Sequence, residues 1–187
     1  GKVYYADNPE IFQTIGKSSD PGLLCIIYTG KGELDKGQYD RDCELDFCDD
    51  IYWLVSKKLY YTIGGYDPEF FLEAEDFDWQ LRAKKAGFKI MFAYKAKIWH
   101  KVSMVIGKDS PQKAYYDARN PLIAVMKNCE ADIVKTYIQT RIYKIYLPAI
   151  LKTALKGKIQ KAIYMFAGVC SALIWKANNR ILIKQKR

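Results

Sequence analysis

Charge is placed so unevenly along this 187-residue chain that its two parts face different folding problems. From residue 131 onward there are twelve lysines or arginines and a single acid, Asp132, whereas the first 130 residues carry 18 bases against 20 acids. The near-neutral part can build an ordinary core. The basic part must keep its cations in water, which restricts it to elements that are apolar on one side only. The expected division is therefore a body over 1–130 and a basic amphipathic helical tail over 131–187. Half of the residues are apolar and 27% are charged, a balance that folds rather than staying disordered. The five cysteines include no C-x-x-C pair, so neither a disulfide framework nor a structural zinc site is expected, and a reducing, cytoplasmic compartment is.

In the tail, Ile133, Tyr137, Ile138, Arg141, Ile142 and Ile145 recur at helical spacing until Pro148, where the pattern is expected to break. A second helix is expected after Gly157. Its uncharged run from Ala162 to Trp175 would span only ~21 Å, short of the ~30 Å hydrocarbon core of a bilayer. Lys156, Lys158, Lys161, Lys176 and Arg180 flank that run, with Tyr164 and Trp175 near its ends. Two readings stand: an in-plane helix on an anionic leaflet, or a pair of amphipathic helices packed on the body. A nucleic-acid partner is not expected, because the bases lie on apolar-faced helices and no recognition motif is present. No signal sequence or lipidation motif is visible and residue 1 is glycine, so a fragment of a longer protein is expected.

The body predicts strands alternating with helices, hence an α/β architecture. Strands are expected at Gly1 to Tyr5, Leu23 to Tyr28, near Glu44 to Cys48, at Lys89 to Tyr94 and at Ala96 to His100, with an acidic, glycine-rich loop over 30–50 and an apolar segment at Ile51 to Val55. Helices are expected at Lys57 to Ile63, closed by Gly64-Gly65, at Glu75 to Ala86, closed by Gly87, and at Tyr115 to Met126. The polar stretch from about Lys101 to Pro111 is long enough to suggest a mobile functional loop.

Four acids, Glu73, Glu75, Asp76 and Asp78, gather where the second helix starts. Acids in a first turn stabilise the helix dipole, which explains such a cluster without any chemistry. Alternatively, the neighbouring Phe70, Phe71, Leu72, Phe77 and Trp79 desolvate one carboxylate enough to make it a general base. His100, the only histidine, is either structural or one ligand of a metal held mainly by substrate phosphates. Arg119 has the planar fork that clamps phosphate, with Tyr116 near its face, or forms an ordinary ion pair to Asp117 or another acid. There is no G-x-G-x-x-G, P-loop, H-E-x-x-H or serine nucleophile elbow.

In order, G-E-L-D-K-G-Q-Y (Gly32 to Tyr39), L-V-S-K-K (Leu54 to Lys58), I-G-G-Y-D-P-E-F-F-L (Ile63 to Leu72), E-D-F-D-W-Q-L-R (Glu75 to Arg82), A-K-I-W-H-K-V-S (Ala96 to Ser103) and Y-Y-D-A-R-N (Tyr115 to Asn120) run through about half of the chain. Taken together they resemble the C-terminal half of family-2 glycosyltransferases of the GT-A fold, in particular bacterial rhamnosyltransferase-like members. The resemblance implies a Rossmann-like α/β half-domain followed by amphipathic helices, and inverting transfer of a sugar from a nucleoside-diphosphate sugar to a saccharide or lipid-linked acceptor. It makes Asp76 the catalytic base and Glu75 its acceptor-orienting neighbour. His100 becomes a ligand of Mg²⁺ or Mn²⁺ on the donor diphosphate. Arg119, Tyr116 and Lys101 fall near the donor phosphates, and Asp50, Trp53 and Trp79 on the acceptor side. The family's D-x-D metal motif and nucleotide-binding half should precede Gly1, so the chain is expected to be inactive alone. The implied location is cytoplasmic and peripheral, on the inner face of the cell membrane. The competing expectation is a non-catalytic, membrane-associated assembly module with a degenerate form of this fold.

Overall fold

A computed structural model of the chain describes residues 1–20, 26–101 and 110–179. The chain is mixed α/β. Its strands are β1 (Lys2–Tyr5), β2 (Asn8–Thr14), β3 (Gly16–Ser19), β4 (Ile26–Thr29) and β5 (Cys43–Leu45), then β6 (Ile90–Phe92) and β7 (Lys97–His100). The helices are α1 (Lys57–Ile63) and α2 (Glu75–Lys85), then α3 (Pro111–Asn128), α4 (Ala131–Thr140), α5 (Leu147–Leu155) and α6 (Ile159–Asn178). A π-helical segment, Arg141–Tyr146, joins α4 to α5.

Two compact units result, cut differently from the expected 1–130 and 131–187: Gly1–Gly65 with Arg82–Val105, and Tyr66–Leu81 with Ile106–Arg187. In the first, β1 is the middle of a three-stranded sheet, antiparallel to β2 and parallel to β7, with Tyr5 opposite His100. Two antiparallel pairs, β3 with β4 and β5 with β6, complete its strands among the described residues. Tyr4, Phe12, Ile15 and Phe92 form its core, with Tyr39, Cys43, Leu45 and Tyr94 packed around them. The glycine-rich loop expected over 30–50 folds over β1. Asp35 and Asp40 reach the buried Lys2 ammonium at 2.8 and 2.5 Å, and Asp35 also accepts the Tyr4 hydroxyl at 2.5 Å. Helix α1 has the caps its sequence calls for: Ser56 Oγ accepts the Leu59 N–H at 3.1 Å, and Gly64 ends it with φ 75°. Arg82 closes the same helix end, donating to the carbonyls of Ile63 and Gly65 at 2.6 and 2.8 Å. The apolar segment at 51–55 makes no strand, and Leu54 is 99% exposed.

In the second unit α3 and α6 pack closely through small residues: Ala114 and Ala118 on one, Ala162, Gly168 and Ala172 on the other, all buried. A Cβ at Gly168 would collide with the Tyr115 carbonyl oxygen and meet Ala118 Cβ at 3.2 Å. Gly168→Ala is therefore expected to destabilise the protein by about 1–3 kcal/mol despite alanine's better helix propensity, read as a lower urea midpoint. An unchanged midpoint would mean that the two helices separate freely. Pro148 does not break the tail. It occupies the first turn of α5, where its missing N–H is not needed, and the π-helical segment before it absorbs the change of register.

Candidate functional site

The acids expected at the start of α2 have distinct fates, and all four lie in the second unit. Glu73 pairs with Lys113 at 2.7 Å. Asp78 is fully buried and accepts Asn128 Nδ2 at 2.7 Å. Asp76 and Glu75 are half-buried at the helix start, where Asp76 Oδ1 accepts the Phe77 N–H at 2.7 Å and the Asp76 carbonyl accepts Gln80 Nε2 at 3.0 Å. Glu73 and Asp78 are thus held by partners in α3, while Asp76 and Glu75 are half-buried at the start of a helix whose last turn is basic.

Just before α2 the backbone does something unusual for ordinary residues. Glu73 and Ala74 have φ of 64° and 65°, consecutive left-handed positions without glycine. Such a conformation persists only when its surroundings over-determine it. Here α3 supplies the restraint. The fully buried Asn120 donates Nδ2 to the carbonyls of Leu72 and Glu73 at 2.7 and 3.0 Å. Lys113 and Lys127, seven residues to either side of Asn120 and so on the same helix face, pair with Glu73 and Asp67. Ala74→Gly is expected to raise stability by about 1 kcal/mol, since glycine adopts φ near 65° without the Cβ penalty. A loss of stability by urea unfolding would show that the Ala74 methyl is worth more as packing than the strain it carries.

Arg119 is committed to this same loop. Its Nη1 donates to Asn120 Oδ1 at 2.7 Å and to the Glu69 carbonyl at 3.3 Å, its Nη2 pairs with the Glu69 carboxylate, and its Nε reaches Ser171 Oγ at 3.3 Å. The fork expected to clamp a phosphate instead holds the segment that leads to Asp76. The ion pair weighed for Arg119, with Asp117 or another acid, forms with Glu69, and Asp117 shares the Lys113 ammonium with Glu73, at 3.0 Å from each of its oxygens. Burial, then the nearby Glu73 charge, push the Asp117 carboxyl above its ordinary value against the pull of Lys113. Tyr116 is half-buried, its ring 5.9 Å from that of Phe71 and 5.0 Å from that of Tyr115. Trp79, expected on the acceptor side, is 5% exposed and packs edge-on against Tyr66 at 6.3 Å, so it is part of the core. An indole inside a hydrophobic core offers no face to an acceptor.

The remaining expected site residues belong to the first unit. His100, half-buried at the end of β7, contacts Gln13 Oε1 through Nδ1 at 2.8 Å. A neutral imidazole donating Nδ1–H to that amide oxygen would leave on Nε2 the lone pair that a metal ligand needs. The fit to Mg²⁺ or Mn²⁺ is that of a single ligand: no group of three histidine, cysteine, aspartate or glutamate side chains that could hold a metal occurs among the described residues. Such a site would take most of its oxygen ligands from elsewhere. Lys101 is exposed next to His100, and most of the loop expected to close over a donor, residues 102–109, lies outside the described residues. Asp50 is exposed and Trp53 half-buried, next to the exposed Tyr52 and Leu54.

Gln13 and Glu69 are the participants that the sequence did not single out. Gln13 sits on β2, a strand that was not expected, and Glu69 meets Arg119 across 50 residues, a separation with no local pattern to mark it.

No protein-family model matches the chain, and neither a curated protein nor a solved structure matches it.

Proposed function

We propose that this chain is the acceptor-side, catalytic half of an inverting glycosyltransferase of the GT-A fold and family 2, which transfers a sugar from a nucleoside-diphosphate sugar to a hydroxyl of a saccharide or lipid-linked acceptor. The product class is a cell-surface polysaccharide or glycolipid. The observation that carries the reading is the strained backbone at Glu73 and Ala74, which α3 locks in place directly before Glu75 and Asp76. A fold that holds two left-handed residues at this point fixes the direction of the next two side chains, and Glu75 and Asp76 are the E-D pair of the family pattern. The parallel pairing of β1 with β7, which needs a long crossover between them, agrees with an α/β half-domain.

Asp76 takes the proton of the acceptor hydroxyl as that oxygen bonds to the anomeric carbon. The bond from that carbon to the diphosphate breaks in the same displacement, and the nucleoside diphosphate leaves with its electron pair. Glu75 orients the acceptor. His100 would be one ligand of Mg²⁺ or Mn²⁺, which when bound would supply positive charge to the leaving diphosphate. Tyr116 and Lys101 are proposed near the donor phosphates, Asp50 and Trp53 near the acceptor, and Arg119 as a positioning residue acting through Glu69 and Asn120. A donor-binding half with the D-x-D motif is required to complete the enzyme. The reaction is placed in the cytoplasm, at the inner face of the cell membrane.

The test is release of nucleoside diphosphate from a panel of sugar nucleotides by a chain that includes a donor-binding half, with and without Mn²⁺. Metal-dependent release that is lost in Asp76→Asn is the expected result. Release from none of the donors would leave the non-catalytic assembly module as the better account.

A further inference from the structure

Helix α6 carries no charge from Ala162 to Trp175, yet only one side of it is covered. Its buried face, Ala162, Gly168, Val169 and Ala172, lies against α3, and Ser171 Oγ accepts the Tyr115 hydroxyl at 2.9 Å beside it. The opposite stripe, Ile159, Ile163, Phe166, Leu173 and Ile174, falls within about 100° of the helix circumference and is exposed throughout. On α5 the same happens at a spacing of four: Leu147, Leu151 and Leu155 are exposed, Leu155 by 79%, and Tyr143 continues the row one turn earlier. The two rows converge on the Lys156-Gly157-Lys158 turn that joins the helices. A continuous apolar surface of this kind marks an interaction site rather than scattered exposure.

Charge decides what covers it. Lys144, Lys152, Lys156 and Lys158 are exposed along and between the two rows, with Lys161 and Lys176 at the ends of the uncharged run. No aspartate or glutamate occurs anywhere after Asp132. A second copy of the chain would bring an identical set of cations against this one with no acid in the segment to pair them. Among the described residues, no helix is long and apolar enough to cross a membrane. Apolar rows bordered by lysines, with Tyr143 and Phe166 among them, match a bilayer surface whose headgroups are anionic.

We propose that the exposed face of α5 and α6 is a docking surface that lies in the plane of an anionic lipid leaflet, with Leu151, Leu155, Ile159, Ile163 and Phe166 entering the acyl boundary and the lysines meeting the headgroups. This gives residues to the membrane placement proposed above and rests on that placement, but not on sugar-transfer chemistry. Vesicle binding and nucleotide release therefore report separately.

The test is co-flotation of the chain with vesicles of phosphatidylcholine alone and of phosphatidylcholine with phosphatidylglycerol, in low and high salt. Binding is expected only with phosphatidylglycerol and is expected to weaken with salt. Leu151→Glu and Ile163→Glu change side chains that are already exposed, and circular dichroism checks that they fold. Each is expected to lower partitioning about tenfold or more. Salt-sensitive binding unaffected by both substitutions would overturn the apolar docking and leave only a basic surface. Absence of binding to either vesicle would overturn the proposal outright, and concentration-dependent dimerisation abolished by the same substitutions would assign the face to a second copy.

Discussion

Asp76→Asn is expected to lower kcat of the proposed transferase, completed by a donor-binding half, by about 10²- to 10⁴-fold, the range that general-base catalysis supplies, while leaving the donor KM close to its original value. The substitution keeps the shape of the side chain and an oxygen able to accept the Phe77 N–H, so the start of α2 should persist. What it removes is the basicity proposed to take the acceptor proton. Asp78→Asn is the informative comparison, because Asp78 is fully buried and bonded to Asn128 rather than half-buried at the helix start. It should reduce stability and leave kcat per folded molecule nearly intact. Equal losses of kcat from both substitutions in folded protein would remove Asp76 from the role of base. Asn120→Ala is expected to act through the same site from a distance, since it frees the carbonyls of Leu72 and Glu73 and one donor of Arg119.

What could be read from the sequence was what local rules control. Helix α1 follows from Ser56 and Gly64, α2 from acids in its first turn and bases in its last, and α6 from Gly157 and an uncharged run. What escaped was non-local. Strand β2, with Pro9 and exposed residues over its first half, shows its alternation only at Phe12 and Thr14. The polar Gly16–Ser19 becomes a strand because β4 pairs with it. In the candidate site, the E-D pair was visible as a motif, but the backbone feature that leads into it was not. That feature is the left-handed pair at Glu73 and Ala74, and it depends on Asn120, about 47 residues further along the chain. Arg119 shows the same limit: its type suggested either a phosphate or an ion pair with an acid, and only its position names Glu69 as that acid. Trp79 likewise reads as a ligand platform in sequence and as core once Tyr66 packs against it.

Asp35→Asn is expected to destabilise the protein by about 2–3 kcal/mol at neutral pH, the cost of losing the charged partner of the Lys2 and Tyr4 hydrogen bonds while Asp40 keeps its pair with Lys2. The Lys2 side chain is 2% exposed, and its ammonium lies between Asp35 and Asp40. Burial opposes the Lys2 charge, but the hydrogen bonds to the two carboxylates outweigh it and raise its pKa. Burial likewise acts against an ionised Asp35, yet the Lys2 ammonium, the Tyr4 hydroxyl and the Gly37 N–H hold it down at about 2. Tyr4 is pushed up to about 12, by burial and by its bond to Asp35. The signs then give the pH window. A carboxyl depressed by folding contributes its full stability above its ordinary value near 4 and loses it as pH falls towards 2. Lys2 and Tyr4, both raised by folding, contribute fully below about pH 10 and lose their contributions as pH rises beyond it. Urea unfolding of the parent should therefore show a plateau between these limits and an acid limb below pH 4 in which about 2 kcal/mol disappears. In Asp35→Asn the plateau should be lower and this part of the acid limb absent, so the two curves approach one another at low pH. Parallel curves with an unchanged acid limb would show that Asp35 ionisation is not linked to folding. Coincident curves would show that Asp40 alone is enough for Lys2.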